Sequence, residues 1–372
     1  MPKILTILIF AIISVPVWGT AAGSFSVPED IPGIYRQSLP QLNGNIGDSP
    51  ENKACHIIDY IHSIGGGVPL NAETRADHIT RLAEKIRNTT PIQLVMLGFS
   101  CKSDNTQKKV LSEDFEMADY LGLVRLEHLA QQIESFSGTE CRINIINKEP
   151  YIPEIFQVAH EVIGTVILSP QVLRNYQNTL ETLIGTCPHL QLGLDLTEAY
   201  NQRKQNVEYH TEAARTKISE AAHGSKAFFS CELDYEKIND ILRSRLQQQN
   251  KKSGSNFVAT ERLETIALPM ALAYQLGVTI FRDVVREHPD YQNMFRLSVH
   301  GDDTKMMMNF GHTPGHETLD TITCTAWHAS LLCDFSRQPR EFSLKRLNQK
   351  PTDAIITSQI VNGFSLAFMF KG

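Results

Sequence analysis

The sequence predicts an α/β protein: a Rossmann-like sheet, a helical middle region and a β-rich C-terminal part. Three observations carry that expectation. Pro91-Ile-Gln-Leu-Val-Met-Leu-Gly98 is a continuous apolar run that opens into a polar loop. A helical stretch from Phe115 to Phe136 and a second run, Arg142-Ile-Asn-Ile-Ile146, follow it. Strand, loop, helix, strand is a βαβ unit, and strands buried on both faces read as unbroken apolar runs. Helical periodicity then spans 197–223, 235–249 and 260–288, with Pro269 as a kink or break. From residue 294 the pattern changes to short runs at 294–300, 304–310, 324–333 and 364–370, separated by Gly, Asp and Pro turns.

In chain order, residues 1–22 stand apart. Lys3, the apolar run Ile4 to Trp18 and the small residues Gly19-Thr-Ala-Ala22 read as a signal peptide cut near Ala21 or Ala22. The expectation is export to the periplasm or medium, with a cytoplasmic location if the signal is not used. Residues 23–50, rich in Pro, Gly, Ser and Asn, read as an extended lead-in. Residues 51–372 read as one unit, with an α/β part at about 91–196, a helical part at about 197–290 and a β-rich part at about 291–372. Helices are expected from Lys53 to Ile64 and from Ala72 to Arg87. Gly65-Gly-Gly67 joins them, and because it follows a helix it reads as a connection, not a phosphate cradle. Further on come helices from Ile152 to Ile163 and from Pro170, the latter capped by Ser169 and stopped at Gly185, and a strand from Leu190 to Leu196.

Bulk properties narrow the function. The chain has 372 residues, 42% of them hydrophobic, and a net charge of -6. With no basic cluster, that charge gives no nucleic-acid footprint. Nothing after the N-terminus has the apolar length of a membrane span. The seven cysteines are scattered without a C-x-x-C, so they suggest neither a zinc site nor a redox pair, and an odd count leaves at least one unpaired in an exported chain.

The chemistry concentrates in Phe295-Arg-Leu-Ser-Val-His300 and in Thr325-Ala-Trp-His328. Strand alternation sends Phe295, Leu297 and Val299 to one side and Arg296, Ser298 and His300 to the other. Two metal readings compete here. His300-Gly-Asp302 has the H-x-D spacing of an iron and 2-oxoglutarate oxygenase, but the upstream chain is helical and α/β, not a jelly roll, and His312, His316 and His328 follow too soon. Gly311-His-Thr-Pro-Gly-His316 evokes a metallo-β-lactamase strand end without the H-x-H-x-D-H cluster that would complete it, and reads as a turn.

The remaining reading is a family resemblance. Phe99-Ser-Cys-Lys102-Ser103-Asp-Asn105 with Lys109-Val-Leu111 resembles the F-P-x-K-S-P-N…K-V-L-G motif of the isocyanide (isonitrile) synthases, the PvcA-like enzymes of pyoverdine/paerucumarin type. Arg296-Leu-Ser298-Val-His300 resembles their R-L-S-I-H-P, Lys305 the lysine that follows, and Thr325-Ala-Trp327-His328 their T-P-W-H. Ser100, Asp104, Gly301 and Ala326 depart from the pattern, and the family's S-D-G-x-x-F-x-D loop is not recognisable near Asn147-Lys-Glu149.

The resemblance implies condensation of an L-amino acid, of tyrosine or tryptophan type, with ribulose 5-phosphate. The sugar's C2 becomes the isocyanide carbon, with loss of phosphate and small carbon fragments. It implies no cofactor and no metal, and a downstream iron/2-oxoglutarate oxygenase as an expected partner. Lys102, Arg296, His300 and His328 become the candidate catalytic residues. Arg296 suits bidentate capture of an oxyanion, Lys102 suits phosphate or a proton relay, and the histidines suit acid–base work near neutrality. Ser103, Asn105, Ser298, Lys305 and Trp327 become candidate substrate-binding residues. The departures, together with the export signal, also suit an exported small-molecule-binding protein that has lost catalysis.

Overall fold

A computed structural model describes residues 30–45, 47–65, 69–99, 115–146, 170–203, 283–298, 306–307, 331–338, 341–346 and 355–370. The first helix, α1 (Ile31–Ser38), departs from the extended lead-in expected over 23–50. Asp30 caps it by accepting the Gly33 N–H at 2.8 Å, Pro32 pre-sets its first turn, and Ile31, Tyr35 and Leu39 bury one side at helical spacing. The turn-forming composition that suggested a lead-in is here a capping signal.

Helices α2 (Pro50–Gly65) and α3 (Ala72–Arg87) form an antiparallel pair where the sequence placed them. Asn71 caps α3 by accepting the Thr74 N–H at 2.8 Å. Lys85 and Arg87 lie in its last turn, where they favour the carbonyl end of the helix. Strand β1 (Ile92–Leu97), helix α4 (Met117–Ser137) and strand β2 (Cys141–Ile146) realise the expected βαβ unit. Helix α4 is buried on nearly every side, and Gly138, at φ 73°, ends it in the left-handed conformation glycine favours. Helix α5 (Pro170–Ile184) leads to β3 (Leu190–Leu192), shorter than the strand expected to Leu196, because the chain turns helical again at 197–203. Most of the expected helical middle, 204–282, lies outside the described residues. Residues 283–287 and the short α6 (Pro289–Gln292) close it.

The sheet is then completed by β4 (Phe295–Ser298) and β5 (Met306–Met307). Its order is β3-β2-β1-β4-β5, and every neighbouring pair is parallel. This is the strand order of the doubly wound nucleotide-binding sheets. Side chains alternate to two separate cores. Leu94, Met96, Ile143, Ile145, Phe295 and Leu297 join helices α1 to α5 in the main core. Val95, Leu97 and Ile146 face the other way, against Leu196, Tyr200, Val284, Val285 and Tyr291. The result is a three-layer α/β sandwich.

A second sheet, order β7-β6-β9-β8, is built from β6 (Leu331–Gln338), β7 (Glu341–Arg346), β8 (Ile355–Val361) and β9 (Phe364–Phe370). Strands β7 and β8 were absent from the sequence reading; of the run expected at 324–333, residues 331–333 fall in β6 and 324–330 lie outside the described residues. Asn362 and Gly363, at φ 51° and 85°, form the two-residue hairpin turn between β8 and β9. Leu366 enters the main core, and the Phe364 ring stacks on Tyr120 of α4 at 4.9 Å, so the last strand is docked on the α/β sandwich. Among the described residues, no helix is long and apolar enough to cross a membrane.

Candidate active site

In an open parallel sheet, ligands gather beyond the carboxyl ends of the strands where the strand order reverses. Here that place lies between β1, from which the chain winds outward through β2 and β3, and β4, which starts the other half. Leu94 pairs with Phe295, Val95 with Arg296 and Met96 with Leu297. The two segments richest in candidate residues therefore leave the sheet side by side. Lys102, Ser103 and Asn105 follow β1 directly, and His300 follows Ser298 at the end of β4.

Alternation along β4 holds as expected. Phe295 and Leu297 are buried in the main core, and Arg296 projects to the opposite face, in register with Val95. That face is not a solvated one, because the second core covers it. Arg296 is accordingly half-buried and partnered. In the same row lie Gln191 and Asn144, which the sequence reading passed over. Asn144 is buried, and its Nδ2 donates to the Leu94 carbonyl at 3.2 Å and approaches Met294 Sδ at 3.3 Å. Gln191 Nε2 donates to Asn144 Oδ1 at 2.6 Å. Three polar side chains, with Val95 between Asn144 and Arg296, thus lie in one row across four strands beneath the crevice. The asparagine inside Ile143-Asn-Ile-Ile146 was the one legible sign of it.

Beyond β1 the Gly98 N–H still donates to the Ile146 carbonyl, at 3.3 Å. Phe99 then turns the chain at φ 58°, with its ring only 4% exposed in the main core. The segment that starts there returns at Phe115, also in the main core, against Tyr176 at 5.2 Å and Phe364 at 5.7 Å. Two wholly buried carboxylates follow at the start of α4. Asp119 Oδ2 accepts the Glu116 N–H at 2.9 Å, and Asp119 Oδ1 accepts from the Tyr176 hydroxyl at 3.2 Å.

The carboxyl ends of β2 and β3 are closed by Tyr291. Its hydroxyl accepts the Leu194 N–H at 2.6 Å, and burial pushes its pKa up. Gly193 permits this approach, since a Cβ there would lie 2.6 Å from Ile146 Cγ1 and 2.9 Å from the Tyr291 hydroxyl. Cys55, Cys141 and Cys187 are free, and burial raises the thiols of Cys141 and Cys187, which removes them as nucleophiles.

Of the candidate residues, the structure describes Arg296 and the backbone of Ser298. Lys102, Ser103, Asn105, His300, Lys305, Trp327 and His328 lie outside the described residues, as do Asp302, His312 and His316 of the two metal readings. What the fold brings together is the pair of strands that carries the first two motifs.

Comparison with known proteins bears on the family and the fold. Residues 82–353 match the model of the pyoverdine/dityrosine biosynthesis protein family. The crystal structure of the PvcA protein from Pseudomonas aeruginosa is similar, at 18% identity and a TM-score of 0.51, over 92% of this chain and 99% of that one. At that identity the likeness concerns the fold. No curated protein matches the chain.

Proposed function

Because the chain belongs to the pyoverdine/dityrosine biosynthesis family, we propose that it is an isocyanide synthase. It converts the amino group of an L-amino acid, of tyrosine or tryptophan type, to an isonitrile with ribulose 5-phosphate as carbon donor. The observation that carries this reading is the register of Val95 with Arg296. It sets the exits of β1 and β4 next to each other at the reversal of the sheet, which supports reading Lys102 and Arg296 as parts of one site.

The chemistry asks for groups of this kind. The amine must attack the C2 ketone of the sugar phosphate and lose water to give an imine, with proton donors and acceptors on both sides. Arg296 holds an anionic group of a substrate bidentately, Lys102 and Lys305 contribute point charges, and Ser103, Asn105 and Ser298 supply neutral hydrogen bonds. His300 and His328 exchange protons at the imine nitrogen and the sugar hydroxyls. Trp327 packs on the aromatic side chain of the amino acid. The half-buried setting of Arg296 supports its part, because a guanidinium screened from water binds an oxyanion more strongly than an exposed one. Incubation of the purified chain with tyrosine or tryptophan and ribulose 5-phosphate, followed by mass spectrometry, tests the proposal. An isonitrile product is expected, and its absence with every aromatic amino acid rejects the reading.

A second reading is favoured by Ser100, Asp104, Gly301 and Ala326, by the unrecognisable acidic loop and by the N-terminal signal pattern. An exported descendant that binds an amino acid or sugar phosphate without turnover would keep the cationic side chains and lose the rest. Calorimetry showing saturable binding of either compound, with no product, selects it over catalysis.

A further inference from the structure

Asn144 is 4% exposed, inside a run that is otherwise apolar from Ile143 to Ile146. A buried amide is costly unless its donors and its acceptor are paired. In Asn144 all of them are. The Leu94 carbonyl can only accept, so it fixes the Asn144 nitrogen towards β1 and leaves Oδ1 to accept from Gln191 Nε2 at 2.6 Å. The second N–H of Asn144 reaches Met294 Sδ at 3.3 Å, 150 positions further along the chain. Met294 stands immediately before β4 and two residues before Arg296, on the same side of the strand, where it packs on the second core.

This contact bears on the register of β4. The β1–β4 ladder holds three residue pairs, Leu94–Phe295, Val95–Arg296 and Met96–Leu297. Alternation rejects a slip of one residue, which would turn Arg296 into the main core. It does not reject a slip of two, which keeps every side chain on its face. Such a slip displaces Arg296 by about 6.6 Å along β1, at roughly 3.3 Å per residue. Sliding β4 forward would pull Gln292 out of α6. Sliding it back would carry Arg296 to the place that Met294 holds beside Asn144, and would set a guanidinium, which has donors only, against an amide N–H. We propose that Asn144 is a positioning residue for Arg296: through Met294 it fixes the register of β4 on β1, and so the level in the sheet at which Arg296 stands. The proposal rests on the reading above in taking Arg296 as part of the site.

The test uses the full chain and the variants N144L, M294L, R296A and N144L/R296A. N144L fills the space without a donor, and M294L removes the sulfur while conserving volume. The first readout needs no activity. Arginines are modified with a brief pulse of phenylglyoxal, and the rate at Arg296 relative to the part-exposed Arg142 is read by peptide mass spectrometry. The buried Arg125 reports any general loosening. The ratio is expected to change severalfold in N144L, with Arg125 as in the wild type. The second readout is isonitrile formation. N144L is expected to lower kcat/KM by about 100-fold or more, since a misplacement of only ~1 Å brings a loss of that size. N144L/R296A is expected to be no worse than R296A, because Asn144 acts through Arg296, whereas a merely structural role would lower both backgrounds equally.

The wild-type labelling ratio in folded N144L, or a rise shared by Arg125, overturns the proposal whatever the activities are. An equal further loss on adding N144L to R296A overturns it too. If the wild-type chain makes no isonitrile, the functional reading falls and the labelling ratio alone decides whether Asn144 holds Arg296 in place. If N144L does not fold, M294L carries the labelling comparison. An altered ratio there supports the proposal, and the wild-type ratio overturns it.

Discussion

Val95 and Arg296 are partners across two adjacent parallel strands, although some two hundred positions separate them in the chain. Their pairing sets side by side the exits of β1 and β4, the strands next to which the first two sequence motifs lie in the chain.

Replacing Arg296 by alanine removes a fork of donors from a half-buried position. Product formation is expected to fall by about 100- to 1,000-fold, the scale of losing one preorganised donor to a developing charge. Near-UV circular dichroism is expected to be unchanged. R296K keeps the charge without the bidentate geometry, so a variant that retains full kcat/KM would show that the fork is not used.

His328→Ala tests the third motif, whose side chains are not among those described. A general acid–base group contributes about 100- to 10,000-fold. A loss of that size in kcat, together with disappearance of one limb of the pH–rate profile, is expected. A loss confined to KM would reassign His328 to substrate binding.

The strain at Phe99 has a thermodynamic signature. At an ordinary helical or extended position alanine is more stable than glycine, by about 0.5–1 kcal/mol inside a helix or strand. At φ 58° the order is expected to invert, because a left-handed backbone costs an L-residue with a Cβ roughly 1–2 kcal/mol. Urea unfolding should therefore find F99G more stable than F99A, and the ordinary order would show that the turn is not left-handed in solution.

Gly193→Ala is expected to destabilise the fold by about 1–3 kcal/mol, the usual range for overpacking. The new methyl would collide with Ile146 and with the Tyr291 hydroxyl, on well-packed elements. Thermal unfolding of the variant checks this, and a neutral effect would mean that the β2–β3 end has room for the added methyl.

Stability should also decline on mild acidification. His78 is buried beside Phe295, at 5.5 Å between ring centroids, and desolvation lowers its pKa, with Arg81 adding to the effect and Asp77 opposing it. Its Nδ1 has no hydrogen-bond partner among the described residues. His128 is likewise lowered by desolvation, against the opposing contact with the Pro40 carbonyl at 3.0 Å. Both histidines are neutral when folded and take up a proton more readily when unfolded. The stability this neutrality supports is whole above the unfolded value of 6.5 and is lost as pH falls below it towards the lowered folded values. The melting temperature of H78L is expected to fall less between pH 7 and pH 5 than that of the wild type. Equal falls would remove His78 as a contributor.

The sandwich was legible where the signal was local. Strands β1 and β2 are unbroken apolar runs, and α2, α3 and α4 repeat at helical period, so periodicity alone located them. Helix α1 was hidden because proline and glycine in Ile31-Pro-Gly-Ile34 read as turn formers, while the Asp30 cap went unweighed. Strand β8 was hidden because Ile-Ile-Thr-Ser-Gln-Ile-Val is only moderately apolar, although the Asn362-Gly363 turn beside it was a usable hairpin signal. The neighbours of each strand were beyond reach of periodicity, which fixes which face a residue takes but not which strand lies beside it. For the same reason Arg296 was correctly put on the face opposite Phe295. That this face meets a second core, in a row with Asn144 and Gln191, required the sheet order.

The Val95–Arg296 register also bears on how the protein is made. At roughly 5–20 residues per second, β4 leaves the ribosome ~10–40 s after β1. Throughout that interval the apolar β1 has an unpaired edge, a template for wrong pairing. The main core stays incomplete until Leu366 is synthesised. Pairings this distant in the chain slow folding and lengthen the time over which the apolar strands are exposed.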